Sequence, residues 1–277
     1  MDLYFERKGN GFPILCLHGH PGNARCLEVF TEHLAQRFQT ISPDLRGYGK
    51  SKAQGNFQMS DHLLDLEELL DKLQIKRCLL LGWSLGGILA LELALKHPQR
   101  FTGLILIASA ARPFGSHPRV NGFELLATGV AGIVNWIVPG WELNIELLGK
   151  RSLFRYLIQQ QTPQTYQYLA TYAVKAYLQT SLAAHNALNL ALKERYNRLN
   201  DLEKIQFPCL VLAGAEDRHI TAASSKETAQ KIKHCQWQCY QNTAHLFPWE
   251  IPNIVLKDLD SWLEKYPQVV DMSNIIL

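Results

Sequence analysis

No apolar run in this sequence approaches the ~18 residues that a membrane-spanning helix needs. The nearest, Leu125 to Val138, carries Thr128 and Asn135 and stops at Pro139. No membrane span is expected. A buried helix is expected there, with an interfacial helix lying on a membrane as the other reading. Basic runs with interleaved aromatics are also missing. Net charge is only +3, so no nucleic-acid partner is expected. The six cysteines form no C-x-x-C pair and no Cys/His cluster at zinc spacing, which argues against a metal site. Cys16, Cys78 and Cys209 fall inside apolar runs, where reduced thiols behave as small hydrophobes. The charged start, Met1 to Lys8, resembles neither a signal nor a transit peptide; a cytoplasmic location is expected. Repeats and low-complexity tracts are absent.

What is present is a globular chain of 277 residues with 47% apolar residues, enough for one substantial core. Short apolar strands alternate with helical patterns, the signature of a mostly parallel sheet covered on both faces. Strands are expected at 2–8, 13–17, 38–42, 77–81, 103–108, 209–213 and 236–240. Helices are expected at 26–37, 60–73 (capped by Ser60), 87–97, 222–233 and 254–265. The alternation fails between residues 112 and 200. That stretch is helical and aromatic, with Phe114, Phe123, Trp136, Trp141, Tyr156 and Tyr166 among its rings. The expected organisation is a core of residues 1–111 and 201–277, with a helical lid, 112–200, inserted between two strands.

Gly82-Trp83-Ser84-Leu85-Gly86 joins an apolar strand to an amphipathic helix. A serine at such a sharp turn is strained, and flanking glycines let strand and helix approach without a Cβ clash. Its hydroxyl then sits at the positive end of the helix. Serine is a poor nucleophile at neutral pH and needs a base, which in turn needs an acid to fix its tautomer. Asp217 follows the penultimate strand and His245 follows the last one. Glu216 is the alternative acid. The expected triad is Ser84, His245 and Asp217. An oxyanion hole requires two backbone N–H donors. Leu85, opening the elbow helix, and His20, in the loop His18-Gly19-His20-Pro21-Gly22, are the candidates. His18 is expected to buttress that loop; a His18/His20 metal site lacks a third ligand nearby.

The elbow, the His-Gly-x-Pro-Gly loop, Asp44-Leu45-Arg46-Gly47-Tyr48-Gly49-Lys50-Ser51 and the Asp217 and His245 positions together resemble the α/β-hydrolase superfamily. The resemblance spans nearly everything but the lid and implies the α/β-hydrolase fold, with serine-hydrolase chemistry and no cofactor. Within it, Leu81 to Gly87 is similar to the elbow of the pimeloyl-carrier-protein methyl esterases of biotin synthesis, as are His97-Pro98-Gln99-Arg100 and Ile107-Ala108-Ser109. Pro21-Gly22 is closer to epoxide hydrolases and dehalogenases. Those branches use an aspartate nucleophile, and Ser84 excludes their chemistry.

A lid roofs the nucleophile and selects substrate. Phe114 and Trp136 from the lid, with Trp83 from the elbow, are the candidate pocket residues. Packing among the lid helices, or beneath the elbow for Trp83, is the other reading. The lid carries nine Lys/Arg against four Glu and no Asp. Lys150, Arg151 and Arg155 could therefore meet an acidic carrier protein, or form a solvated basic face. The expected activity is cleavage of a small-molecule carboxylic ester with a partly apolar acyl or aryl group. Thioester or carbon–carbon hydrolysis, acyl transfer and a non-catalytic receptor on the same scaffold remain open.

Overall fold

The computed structural model describes residues 1–116, 118 and 120–275; Arg119, counted above among the lid cations, lies outside them. Seven strands form one sheet: β1 (Phe5–Lys8), β2 (Pro13–Leu17), β3 (Gln39–Pro43), β4 (Cys78–Trp83), β5 (Phe101–Ile107), β6 (Cys209–Gly214) and β7 (Cys235–Tyr240). Their spatial order is β1-β3-β2-β4-β5-β6-β7. β1 runs antiparallel to β3 and every other pairing is parallel.

The four central strands, β2, β4, β5 and β6, are buried along their whole length, because helices cover both faces. Period-2 side-chain alternation divides the core in two. Leu15, Leu80, Leu104 and Val211 pack on one face with α2 (Met59–Lys72), α3 (Leu85–Lys96) and α10 (Ala222–Lys231). Ile14, Leu79, Ile105 and Leu210 pack on the other with α1 (Glu28–Leu34) and α12 (Pro252–Lys265). One slip of register would send each strand's set to the wrong face.

Four of the five expected helix starts differ; α3 and α12 each begin two residues earlier, at Leu85 and Pro252. The helix expected at 26–37 is a 3₁₀ turn, Ala24–Leu27, capped by the Asn23 side chain, followed by a short α1. Ser60 does not cap α2. The helix starts one residue earlier, where the Gln58 N–H donates to the Asp61 carboxylate at 2.8 Å, and the closing acid of that box decides the boundary.

Between β5 and β6 the chain is helical: α4 (Gly122–Ile137), α5 (Glu142–Leu147), α6 (Phe154–Leu157), α7 (Pro163–Tyr168), a π-helical turn (Leu169–Ala173), α8 (Val174–Leu178) and α9 (Leu182–Lys193). Short α11 (Phe247–Glu250) precedes α12. Tyr156 and Tyr166 are buried inside this insert. Tyr168, Tyr172 and Trp249 form a ring cluster with centroids 6.0–6.3 Å apart.

The expectation of a buried helix over 125–138 is corrected. Only one side of α4 is buried, and it is the polar and small-residue side: Glu124, Ala127, Ala131 and Asn135. Specific partners hold it inward. Glu124 pairs with Arg155 and accepts from Tyr156 Oη at 2.9 Å. Asn135 donates to Tyr166 O at 2.7 Å and accepts from Gly140 N at 2.9 Å. The large apolar side chains of α4 face outward.

Candidate active site

Ser84 stands at the junction of β4 and α3 with φ +54° and ψ −118°. This conformation costs an L-residue about 1–3 kcal/mol, and the surroundings fix it. A Cβ on Gly82 would lie 2.3 Å from Gly86 O, and one on Gly86 would lie 2.0 Å from Leu17 O. Only glycine permits those approaches. The Ser84 N–H bonds to Ile107 O at 2.8 Å, continuing the sheet ladder. Its carbonyl accepts from Ser109 Oγ at 3.0 Å and from the Gly87 N–H at 3.0 Å.

His245 lies between β7 and α11 and is 6% exposed. Its Nε2 is 3.1 Å from Ser84 Oγ and its Nδ1 is 2.7 Å from Asp217 Oδ2. A carboxylate only accepts, so Nδ1 carries the proton and the Nε2 lone pair faces the serine hydroxyl. Asp217, just after β6, is buried. Its second oxygen accepts from the His219 and Ile220 N–H groups at 2.8 and 3.1 Å. Glu216 is exposed. The two candidate acids are adjacent, and only Asp217 reaches the imidazole.

The two oxyanion candidates belong to segments that meet at Ser84. Leu85 is the first residue of α3, so its N–H has no acceptor within the helix. The loop after β2 runs against the elbow, with a Cβ built on Gly19 lying 3.0 Å from Ser84 Cβ; His20 follows it. The His20 ring turns to Tyr48, with Nδ1 2.8 Å from the phenolic oxygen, and stands edge-on to His185 at 4.6 Å. Burial, reinforced by the neighbouring His185 and His18, pushes its pKa down to about 4, so the ring is neutral at pH 7.

His18 buttresses this loop, as expected. It is fully buried, and its Nε2 accepts from the Leu45 N–H at 3.1 Å. Nδ1 therefore holds the proton and donates to Gly19 O at 2.8 Å. Both ring nitrogens are engaged. Asp44 pins the neighbouring loop by accepting from Ala24 N and Lys50 N, each at 2.7 Å. A Cβ on Gly49 would fall 2.2 Å from that carboxylate.

The pocket candidates diverge. Trp83 is 4% exposed, its ring edge-on to Phe30 at 6.4 Å and to Trp249 at 5.2 Å; it fills the packed cluster at the end of β4. Phe114 is 69% exposed. Its carbonyl accepts from Thr221 N at 3.0 Å, which ties it to the loop following Asp217. Trp136 is 60% exposed on the outward side of α4. In the basic cluster, Lys150 pairs with Glu146 and Arg155 with Glu124. Arg151 bonds backbone carbonyls.

Sequence reasoning missed Glu250. Its buried carboxylate accepts from the Ala244 N–H at 2.8 Å and, through the other oxygen, from Gln159 N at 3.0 Å and Gln160 N at 2.5 Å. Leu246 N bonds to Leu157 O at 2.9 Å alongside. The histidine loop and the segment after α6 are thereby strapped together. Burial raises the Glu250 pKa, against the lowering effect of its backbone N–H donors. A lone glutamate carries no motif; five residues beyond a candidate histidine was the only available signal. His219 was missed too, although its ring centroid lies 5.0 Å from that of His245.

Residues 13–252 match the family described as alpha/beta hydrolase fold. A haloalkane dehalogenase of Mesorhizobium japonicum is 27% identical over 282 aligned residues, covering 96% of this chain and 88% of that protein. A pimeloyl-[acyl-carrier protein] methyl ester esterase of Aeromonas hydrophila is 38% identical over 110 residues, 40% of this chain and 42% of that protein. A thermophilic esterase from Thermogutta terrifontis superposes with a TM-score of 0.70 at 28% identity, covering 97% of this chain and 94% of that one. The family match runs from β2 to the start of α12 and encloses positions 84, 217 and 245; the chain belongs to the alpha/beta hydrolase fold family.

Proposed function

We propose that this hydrolase cleaves a carboxylic ester with a partly apolar acyl or aryl group, through an acyl-enzyme on Ser84. The single observation that carries this reading is the 3.1 Å approach of His245 Nε2 to Ser84 Oγ.

His245 takes the Ser84 proton as Oγ attacks the ester carbonyl. Asp217 holds the imidazole tautomer and stabilises the imidazolium that forms. The backbone N–H groups of His20 and Leu85 receive the developing oxyanion, where fixed donors lower the barrier most. His245 then gives its proton to the leaving alcohol. A water molecule, deprotonated by the same nitrogen, attacks the acyl carbonyl. The carboxylic acid leaves and Ser84 recovers its proton.

The esterase names among relatives and structural neighbours support the ester bond. The carrier-protein ester of one relative matches only 40% of this chain, and two of the three lid cations invoked for an acidic carrier already have carboxylate partners. A small-molecule ester is therefore the leading substrate. Phe114, beside the loop that bears Asp217, is the pocket candidate retained; Trp136 stands on the outward side of α4 and is not carried forward as a pocket residue.

The test is a panel of chromogenic esters of graded acyl length, with fluorophosphonate labelling in parallel. Wild type should turn over esters and label stoichiometrically, and both signals should vanish in Ser84→Ala and His245→Ala. Labelling without ester turnover would move the chemistry to a thioester or carbon–carbon bond. Absence of both would favour a receptor.

A further inference from the structure

The outward side of α4 has no polar residue on it. At 100° per residue, the arc opposite buried Glu124 and Asn135 holds Phe123, Leu126, Val130, Ile133, Ile137 and Trp136, each 40–70% exposed. Gly122 and Gly129 fill the gaps. Large side chains spaced 3, 4, 3 and 4 residues apart along one stripe normally face a core. Here they face away from the protein, because Glu124 and Asn135 take the inward side with hydrogen bonds of their own. The apolar surface continues past the helix through Trp141, Leu143 and Leu147. A contiguous exposed patch of this kind marks an interaction surface.

We propose that α4 docks the lid flat onto an anionic phospholipid bilayer. Two features select lipid over a second copy of the chain. The first is that the arc has no hydrogen-bonding group to set a register, apart from the Trp136 indole. A specific protein interface needs such groups, whereas acyl chains do not. The indoles of Trp136 and Trp141 suit the headgroup boundary. The second is charge. Arg151, Lys175, Lys193 and Arg195 on the insert make no ion pair with a carboxylate among the described residues. The 149–151 turn that carries Arg151 packs directly on α4. A second copy would bring the same unpaired Arg151 to the contact; a bilayer brings phosphates. Among the described residues no helix is long and apolar enough to cross a membrane, and docking along the surface requires none. This surface is independent of the chemistry assigned to Ser84.

The test is co-sedimentation of the full chain with vesicles of phosphatidylcholine, with and without phosphatidylglycerol. Wild type should pellet with the anionic vesicles and release as salt rises. Leu126→Ser combined with Ile133→Ser changes only exposed positions. It should lower the partition coefficient about tenfold or more, with circular dichroism and soluble-ester turnover unchanged. Arg151→Glu should weaken binding to the anionic vesicles and leave neutral ones unaffected. Wild type remaining in the supernatant at lipid excess would overturn the proposal. So would sedimentation of the double variant equal to wild type. A wild-type dimer that the double variant dissolves, without lipid binding, would assign the face to a second copy.

Discussion

Asp217 Oδ2 lies 2.7 Å from His245 Nδ1, although 28 residues separate them in the chain. β6 and β7 are parallel neighbours, so the loops at their C-terminal ends meet above the same sheet edge. The second Asp217 oxygen is held by two backbone N–H groups, which leaves the first aimed at the ring. Replacing Asp217 with Asn keeps the shape and presents an N–H toward Nδ1, reversing the tautomer. Ester turnover should fall about 10⁴-fold in kcat with little change in KM. A steady-state comparison with wild type measures it, and retained activity would remove Asp217 from its role.

Glu250 makes a prediction about the histidine loop. Glu250→Gln keeps one acceptor oxygen but meets the remaining backbone donors with an NH₂ group. At least one of Ala244, Gln159 and Gln160 then loses its acceptor. Kcat should drop about tenfold through misplacement of His245, with KM less affected, and Tm should fall by several degrees. Glu250→Asp, which retains the charge, should recover part of kcat. Equal losses in the two variants would reduce Glu250 to packing.

Gly86 tests the elbow. Its ideal Cβ falls 2.0 Å from Leu17 O, which is backbone and cannot swing away. Gly86→Ala should cost about 3 kcal/mol or more of stability and displace Ser84 from His245. Chemical denaturation and fluorophosphonate labelling read the two effects separately. A variant with wild-type stability would show that strand and helix approach less closely.

His62 gives a pH dependence. It is buried against Tyr48 and Phe57, and among the described residues neither ring nitrogen has a hydrogen-bond partner. Burial lowers its pKa to about 4. An unfolded histidine titrates near 6.5. Between those values the unfolded chain binds more protons than the folded one, so stability must fall as pH falls through the window. The stability is intact above about pH 6.5, and about 3 kcal/mol is lost by the time pH reaches 4. His62→Leu should flatten this part of the Tm-versus-pH curve. An unchanged slope would assign the acid sensitivity elsewhere, with His20 next.

The buried strands were legible because a parallel sheet covered on both faces needs continuous apolar segments, and Ile14–Leu17, Leu79–Leu81 and Leu210–Leu212 supply them. Ser84 was legible because an elbow of this geometry admits only glycine at its flanks. Asp217 and His245 were legible from chain order. Glu250 was not, because a carboxylate whose partners are backbone N–H groups leaves no side-chain signature in sequence.

The sequence by itself determined the fold class, the elbow and the order of the three site residues. Each depends on local pattern: strand periodicity, steric demand for glycine and succession along the chain. Only tertiary structure brings Asp217, and not its neighbour Glu216, to His245, because two adjacent side chains differ in direction and not in chemistry. It also buried Trp83 beside Trp249 and turned the apolar arc of α4 outward. Amphipathic spacing shows that a helix has two faces. Which face turns inward depends on the partners waiting there, and for Glu124 and Asn135 those are Arg155, Tyr156 and the Tyr166 carbonyl, all distant in sequence.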